Sequence, residues 1–400
     1  MKIRHTLVSL FGVIGTQILF FWSLYLIGIH FGAADLGEFN SQLAFGCFIG
    51  NLSALRYELA CVSEDRNSTI NALFHSVLLS LLILSAVLFC AVIINASTNT
   101  LVFVFAFIFF LGQVLTQYFI ALREYSAVSF MRLTGGILFV CCIFGKTIFT
   151  AIDSVSVFDL YFLSIVVSVF VFFPVRSLFE VGLIKFDLCF YKSNYRFPFY
   201  IFPATIFSSI LLYALPILFP SLFGAEEAGY FAIAFRIGAF PVSLIAQSVG
   251  SVLRRDAVGA CTNGSAKKLK EVYIFYAKII FSFSLLYLVF GYFFGREIIL
   301  FVFGSSWGKS VEYFMYMLPM FSLQLAYTSL SQIFLATNNQ KLDFLLQFMI
   351  GSGLVLSVFI SVILKLSPLC MVEIFSISGG GLIIVGVFFT AKVGLRDRPV

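Results

Sequence analysis

Six ionisable residues lie within long apolar stretches or at the ends of such stretches, where charge is rare. They are Arg56, Glu58, Arg132, Arg236, Lys278 and Glu373. A charge at bilayer depth costs about 2.5–3.5 kcal/mol on insertion scales, so such a side chain normally faces a cavity or a partner. The four basic residues together would make a cavity suited to an anionic substrate, such as a pyrophosphate or an acidic sugar. The two glutamates are candidates for ion coupling or gating.

The distance of each charged residue from the end of its apolar stretch indicates whether it faces a cavity or reaches the membrane interface. Arg236 lies about seven residues inside its apolar stretch, too deep to reach the outer surface easily, and a cavity position is favoured over a structural ion pair. Lys278 lies nearer the inner end of its apolar stretch, where a flexible lysine can extend its amino group to the membrane interface. A cavity position and an interfacial position therefore both stay open for Lys278. Glu373 lies near an outer end, and an interfacial position is favoured.

Arg56 and Glu58 close the second apolar stretch. They are two residues apart, so on a helix they point to different sides and are not expected to pair. Arg56 is either a positively charged anchor at the cytoplasmic face of the membrane or a cation at the entrance to a cavity. Arg132 begins the fifth stretch and allows the same two interpretations.

The composition is that of a membrane protein. Apolar residues make up 61% of the 400 residues, charged residues make up 11%, and 53 residues are Phe. Too few polar side chains remain to cover a water-soluble fold, which excludes a soluble enzyme, a nucleic-acid-binding protein and a disordered chain. Stretches of about 20 apolar residues without strand-like alternation predict helices that cross a bilayer. We predict twelve, at about 7–29, 39–55, 70–94, 101–121, 129–149, 155–174, 200–219, 229–250, 272–294, 313–335, 342–363 and 369–390.

The basic residues predict the orientation of these helices. If the N-terminus is cytoplasmic, 19 of the 25 Lys and Arg residues fall in inner segments, four fall in outer segments and two lie within spans. Lys and Arg collect on the cytoplasmic side of membrane proteins, so both termini are predicted to be cytoplasmic.

A repeated segment predicts two lobes. Phe31–Phe39 (FGAADLGEF) and Phe223–Phe231 (FGAEEAGYF) are 192 residues apart, and each follows the first span of its half. That offset crosses an even number of spans, which indicates a parallel repeat. We therefore expect an all-α polytopic membrane protein, with two parallel-repeat six-helix lobes around a central cavity. The lobes are residues 1–174 and 200–400, and 175–199 form a cytoplasmic connector that is either an interfacial amphipathic segment or a solvated linker.

No motif for enzymatic chemistry is present. The sequence contains no Walker motif, no Cys or His spacing typical of a metal site and no large outer loop. We expect no metal, no disulfide and no cofactor other than a coupling ion, H⁺ or Na⁺. His75 is expected to be a packed or interfacial histidine. A transporter that does not hydrolyse ATP is the class that remains.

Five segments resemble motifs of the polysaccharide-exporting members of the multidrug/oligosaccharidyl-lipid/polysaccharide exporter superfamily, and they occur in the same order. They are Arg56-Tyr57-Glu58-Leu59-Ala60, Tyr195-Arg196-Phe197-Pro198-Phe199-Tyr200, Gly229–Arg236 with Pro241–Ile245, Phe303–Trp307 and Gln340–Leu342. After Ala60 the chain continues Cys61-Val62-Ser63-Glu64-Asp65, which is more polar than the usual pattern.

The resemblance is to O-antigen-type (Wzx-type) flippases of a bacterial inner membrane. It implies that the substrate is a polyprenyl-pyrophosphate-linked oligosaccharide repeat unit of O-antigen, or of a related surface polysaccharide in lipopolysaccharide biosynthesis. Such a unit moves from the cytoplasmic to the periplasmic leaflet by alternating access. Polysaccharide polymerase and chain-length machinery are implied partners. Arg56 and Arg236 occupy motif positions at which the family carries cavity or gate cations.

Two other functions are compatible with parts of the sequence. A drug/cation exporter of the same fold would favour acidic residues in the cavity, whereas the within-span charges here are mostly basic. A membrane polysaccharide polymerase or acyltransferase would need a sizeable outer loop or a His/Asp motif, and the sequence offers neither.

Overall fold

The computed structural model describes residues 2–61, 66–93, 99–122, 124–149, 154–173, 188–262, 266–337 and 339–395. This part of the chain is helical and contains no strand. We number its α-helices in chain order: α1 Lys2–His30, α2 Gly32–Leu52, α3 Arg66–Ile93, α4 Thr100–Ala121, α5 Tyr125–Ile148, α6 Val157–Val171, α7 Leu188–Ser193, α8 Phe202–Phe223, α9 Ala225–Thr262, α10 Ala266–Phe303, α11 Gly308–Leu330, α12 Gln332–Ala336, α13 Gln340–Ile363 and α14 Pro368–Gly394. Short 3₁₀ segments lie at Tyr57–Cys61 and Ser305–Trp307, and a π-helical segment lies at Phe197–Ile201.

Each of the twelve predicted spans falls on a helix, and the tenth corresponds to α11 together with α12. Among the described residues, nine helices are long and apolar enough to cross a membrane: α1, α3, α4, α5, α8, α9, α10, α13 and α14. Their exposed faces carry large apolar side chains, such as Phe290 and Phe301 of α10, which lipid would cover.

The remaining three of the predicted spans are shorter or more polar. Helix α6 has 15 residues. Helix α2 carries Asp35 and Glu38 in its first turns. Helix α11 packs against α9, α10 and α14, so its neighbours are largely protein and it accommodates buried polar residues such as Gln324.

Helices α9 and α10 are longer than the sequence predicted. Each has 38 residues, and both continue through a region that we expected to be an inner loop. Proline is absent from this region, and Leu253, Ala257 and Ala260 repeat at helical spacing and are buried. Arg254 and Arg255 therefore lie on a helix.

The chain divides into two compact units. Unit 1 comprises residues 1–206 and 217–221, and unit 2 comprises residues 207–216 and 222–400, so the residues of α8 are shared between them. The proposed lobe boundary at residue 174 and the first part of the connector, up to residue 187, lie outside the described residues. The end of the connector is described and includes α7.

Aromatic rings form the core of unit 1. The ring centroid of Phe39 of α2 lies 5.6 Å from that of Phe139 of α5, and the centroid of Phe139 lies 4.9 Å from that of Tyr161 of α6. Phe105 of α4 meets Phe158 of α6 at 5.2 Å. Edge-to-face and offset ring pairs stabilise such a core beyond the burial of their area. The many Phe residues thus explain how α2, α4, α5 and α6 are held together.

Unit 2 is built around α11. Phe321 of α11 meets Phe235 of α9 at 5.4 Å. Ser284 of α10 and Ser322 of α11 each donate a hydrogen bond to the other's carbonyl oxygen, at 2.6 and 2.9 Å. Small side chains of this kind let helix backbones approach closely in a membrane.

The repeated segments form the same turn in each unit. Gly32, the first residue of α2, has φ +86°, and Gly224, the residue before α9, has φ +91°. Glycine takes up this left-handed conformation without the strain that a Cβ would introduce. The sequence repeat therefore corresponds to a repeated backbone turn.

Candidate functional site

Arg56 and Glu58 form an ion pair, and the prediction that they would not pair is wrong. Nη1 of Arg56 lies 3.0 Å from Oε1 of Glu58. The prediction assumed a continuous helix, but α2 ends at Leu52, and Leu55 and Arg56 adopt φ of 50° and 68°. Because the backbone leaves the helix at this point, the two side chains meet.

Glu58 is a buried carboxyl group, with 2% of its surface exposed. Among the described residues, its Oε2 atom and Nε of Arg56 have no hydrogen-bond partner. Burial raises the pKa of the Glu58 carboxyl, and the Arg56 guanidinium and the backbone oppose this rise. The site can therefore take up a proton more readily than an exposed glutamate can.

Arg132 lies on α5. Its side chain is exposed, and no ion pair or hydrogen bond of that side chain is found within the described residues. Its neighbour Met131 is buried, and the Met131 carbonyl accepts a hydrogen bond from Ser168 of α6. The α5–α6 contact thus buries Met131 and leaves Arg132 at the surface of unit 1.

The other predicted residues belong to unit 2. Arg236 is half-buried on α9, next to the buried ring of Phe235. Lys278 is exposed on α10, and Glu373 is half-buried on α14. Their roles in transport stay predictions.

Unit 2 contains an open pocket of about 530 Å³ at the distal half of α9. It is lined by Ala246, Ser251, Arg254, Arg255, Val258, Thr328 and Gln332. No acidic residue is among the described residues that line it, and Thr328 of α11 and Gln332 of α12 add polar groups to the lining. The pocket has the chemistry of an anion site, because guanidinium groups bind phosphate oxygens in a bidentate manner.

The two arginines differ in their partners. Nε of Arg255 lies 3.1 Å from Oδ1 of Asp256, and Oδ2 of Asp256 accepts a hydrogen bond from the Tyr276 hydroxyl at 2.6 Å. Arg254 makes no ion pair within the described part of the chain and is exposed. Arg254 is therefore the more available of the two for an anionic ligand.

The pocket was not predicted from the sequence. Arg254 and Arg255 were expected to be inner-loop cations that indicate only the orientation of the chain in the membrane. The spacing of Leu253, Ala257 and Ala260 was the available signal, because it extends the helix and leaves both arginines off its buried face.

A second polar cluster joins the first two turns of α9 to the first two turns of α11. Lys309 forms an ion pair with Glu227, and the Tyr313 hydroxyl donates to Oε2 of Glu227 at 2.7 Å. The Tyr230 ring lies 5.3 Å from that of Trp307. The second copy of the repeated segment thus packs against the Phe303–Trp307 segment.

The structure does not suggest a metal centre in the residues that it describes. No group of three or more His, Cys, Asp or Glu side chains among them could hold a metal ion.

Comparison with known proteins gives a consistent result for the fold. No family model matches the sequence, and no curated protein does. Among solved structures, an inward-facing multidrug resistance MATE family transporter of the MOP superfamily is 17% identical, with a TM-score of 0.65 over 98% of this chain and 94% of that chain. Lipid II flippase MurJ in an inward closed conformation is 19% identical, with a TM-score of 0.66 over 98% of this chain and 87% of that chain.

An outward-facing MATE transporter is 17% identical, with a TM-score of 0.63 over 97% of this chain and 94% of that chain. The chain has the fold of these transporters. The prediction of an all-α, multi-pass membrane protein with a two-lobe transporter fold is confirmed. The resemblance seen in the sequence agrees with this result at the level of the fold.

Proposed function

We propose that the protein is a flippase that moves a polyprenyl-pyrophosphate-linked oligosaccharide repeat unit from the cytoplasmic to the periplasmic leaflet. The repeat unit belongs to O-antigen or a related surface polysaccharide, and movement proceeds by alternating access without ATP hydrolysis. The observation that carries the proposal is the arginine-lined pocket at Arg254 and Arg255, on a fold that exporters and a lipid flippase also have.

The chemistry of the substrate fits a cationic site. A pyrophosphate carries several negative charges, and its free transfer through hydrocarbon is prohibitive. Arginine pairs with phosphate oxygens through two parallel hydrogen bonds, so a few guanidinium groups replace much of the lost hydration. The polyprenyl tail needs no such site, because it can stay in the bilayer.

We assign roles to the charged residues on this basis. Arg56, Arg132, Arg236 and Lys278 contact the anionic headgroup during translocation. Glu58 and Glu373 serve ion coupling or gating, with H⁺ or Na⁺ as the coupling ion. The buried state of Glu58 beside Arg56 supports its assignment.

The proposal also places the protein in the cell. It lies in a bacterial inner membrane with both termini in the cytoplasm, and it hands its product to polysaccharide polymerase and chain-length machinery. The excess of Lys and Arg in the predicted inner segments supports this orientation.

Deletion of the gene in the native host tests the function. We expect loss of the surface polymer, with single repeat units still on their carrier and shielded from reagents at the outer face. Repeat units that reach the outer face but stay unpolymerised would indicate a polymerase. Unchanged polysaccharide with new drug sensitivity would indicate the drug/cation exporter, the alternative that the MATE structures also support at the level of fold.

Complementation of that deletion tests the residues. Arg236→Ala should impair export at native protein levels and leave membrane insertion intact. Normal export from this variant would remove Arg236 from the mechanism.

The pocket can be tested with a matched pair of variants. Arg254→Ala with Arg255→Ala should lower the rate at which purified protein in liposomes moves a fluorescent polyprenyl-pyrophosphate N-acetylglucosamine. Lys267→Ala with Lys268→Ala removes two exposed cations at the start of α10 that do not line the pocket. An equal loss of rate in both double variants would show that net charge matters and that the pocket does not.

A further inference from the structure

The last part of the connector is docked onto unit 1 at the residue between Arg56 and Glu58. The Tyr57 ring lies 5.7 Å from Phe190 and 5.3 Å from Tyr191, both on the short helix α7. The Tyr57 hydroxyl donates to the Tyr191 carbonyl oxygen at 3.4 Å. Tyr57 and Phe190 are buried, so this contact is part of the core of unit 1.

His75 of α3 packs against the same two rings of α7. Its ring stacks on Phe190 at 4.7 Å, with an angle of 10° between the two planes, and it is fully buried. The Tyr191 hydroxyl lies 3.2 Å from Nδ1 of His75 and 3.4 Å from the His75 carbonyl oxygen. Of the two positions expected for this histidine, packed or interfacial, the structure shows the packed one, and the residues it packs against belong to the connector.

The backbone beside Tyr57 is strained. Leu55 and Arg56 both adopt left-handed φ angles without being glycine, and such conformations persist only where the surroundings hold them. Tyr57 is the next residue, and its ring packs against Phe190 and Tyr191 of α7. Those two rings in turn pack against His75. The packing of Tyr57 therefore holds the turn that places the Arg56 guanidinium against Glu58.

We propose that Tyr191 and His75 are positioning residues that hold Arg56 in place through Tyr57. This inference rests on the proposed function, in which Arg56 contacts the anionic headgroup. It assigns the connector a role in fixing the position of the Arg56 guanidinium, although the connector contacts Tyr57 and not Arg56 itself. Release of α7 would let the strained turn relax and would move Arg56.

The transport test uses the fluorescent polyprenyl-pyrophosphate N-acetylglucosamine in liposomes that contain the full chain. Tyr191→Ala should slow the initial rate by roughly 10- to 100-fold, the range expected when a binding group is misplaced by about 1 Å. Tyr191→Phe keeps the ring and should retain most of the rate. Tyr195→Ala, at an exposed tyrosine of the same connector, should leave the rate unchanged.

Combination with Arg56 separates positioning from general destabilisation. If Tyr191 acts through Arg56, Tyr191→Ala should cause no further loss in a variant that already carries Arg56→Lys or Arg56→Ala, because coupled residues are not additive. Losses that multiply in the double variants would overturn the proposal.

A second measurement does not depend on transport. The thiol of an R56C variant is labelled with a methanethiosulfonate reagent, and the labelled site is located by peptide mass spectrometry. Adding Tyr191→Ala should change the labelling rate severalfold. Phe139→Ala should leave it unchanged although it lowers thermal stability, because Phe139 is buried in another ring cluster of unit 1.

The two measurements keep the proposals distinct. Suppose that Tyr191→Ala changes the labelling rate but the wild-type protein does not move the fluorescent lipid. The flippase proposal would then be wrong, and the positioning role would stand. Probe movement with identical labelling rates with and without Tyr191→Ala would sink the positioning role and leave the flippase proposal intact.

Discussion

At the scale of single residues, the ion pair between half-buried Arg56 and buried Glu58 makes a prediction about stability. Removal of one partner of a buried ion pair leaves an uncompensated charge and costs about 3–5 kcal/mol. Arg56→Ala should therefore lower the free energy of unfolding by about that amount, measured by titration with a denaturing detergent. The side chain of Glu58 is 3% exposed, so water does little to compensate.

The matched variant carries a second substitution. Arg56→Ala combined with Glu58→Gln replaces the stranded carboxylate by a neutral group, and it should recover part of the lost stability. A double variant that is less stable than Arg56→Ala alone would contradict a buried charge as the cause.

Glu58 also makes a prediction about pH. Its pKa in the folded protein is raised above the ordinary value of 4.5, so the folded state holds the proton more tightly than the unfolded state does. The contribution of Glu58 to stability is present below pH 4.5 and is lost as pH rises through the raised value. The difference in melting temperature between the wild type and Glu58→Gln measures this contribution. As pH rises from 4.5 through the raised pKa, the melting temperature of the wild type should fall relative to that of Glu58→Gln. A difference that grows in favour of the wild type would show that the attraction to Arg56 outweighs burial.

The sequence identified both members of this pair but did not predict their contact. Both residues were identified because they lie at the end of an apolar stretch and in a segment that resembles a motif of polysaccharide exporters. Their pairing depends on left-handed φ angles at Leu55 and Arg56, and neither residue type signals such a conformation. A turn of this kind follows from the packing of Tyr57, which involves a connector more than 100 residues away along the chain.

At the scale of helices, close approach in unit 2 depends on glycine. A Cβ at Gly238 of α9 would overlap the buried ring of Phe321 of α11. Overpacking of this kind typically costs about 1–3 kcal/mol, so Gly238→Ala should lower the stability of the protein by that amount. The melting temperature of the purified variant in detergent measures the effect.

Gly259 is the matched control on the same helix. A Cβ there meets nothing within 4 Å. Gly259→Ala should be neutral or stabilising by about 0.4–1 kcal/mol, because alanine restricts the unfolded chain. Equal losses in the two variants would mean that helix bending, and not contact with Phe321, determines the result.

Apolar length predicted the helices well and their ends poorly. The twelve spans were recognisable because lipid requires long runs of apolar residues, and Asn99, Ser156 and Ser367 cap the starts of α4, α6 and α14. The ends of α9 and α10 were missed because a helix that leaves the bilayer becomes polar without ceasing to be helical. The pocket at Arg254 was missed for the same reason.

At the scale of the whole molecule, the distribution of charge predicts the orientation. Lys and Arg are concentrated in the predicted inner segments, so both termini should be cytoplasmic. A fluorescent protein fused after Val400 should be bright, and alkaline phosphatase fused at the same place should be inactive. Active phosphatase at the C-terminus would reverse the assignment and the direction of transport that depends on it.

The class of the molecule could be predicted from composition, whereas its site could not. Membrane helices and a repeated half follow from hydropathy and from the FGAADLGEF and FGAEEAGYF segments. The cations that a substrate would meet depend on which helix faces approach each other, and that depends on packing. Arg254 shows this most clearly, since its neighbours Thr328 and Gln332 come from α11 and α12.

Helices α9 and α10 have a practical consequence for imaging. At 1.5 Å per residue, a helix of 38 residues is about 57 Å long, against a hydrocarbon core of about 30 Å. Even a strongly tilted pair must extend into water, and the hydrogen bond from Tyr276 to Asp256 ties the two together in the distal part of α9. A small membrane protein that offers few features outside the detergent micelle is hard to align in electron micrographs. A rigid binder raised against this hairpin would give each particle a landmark.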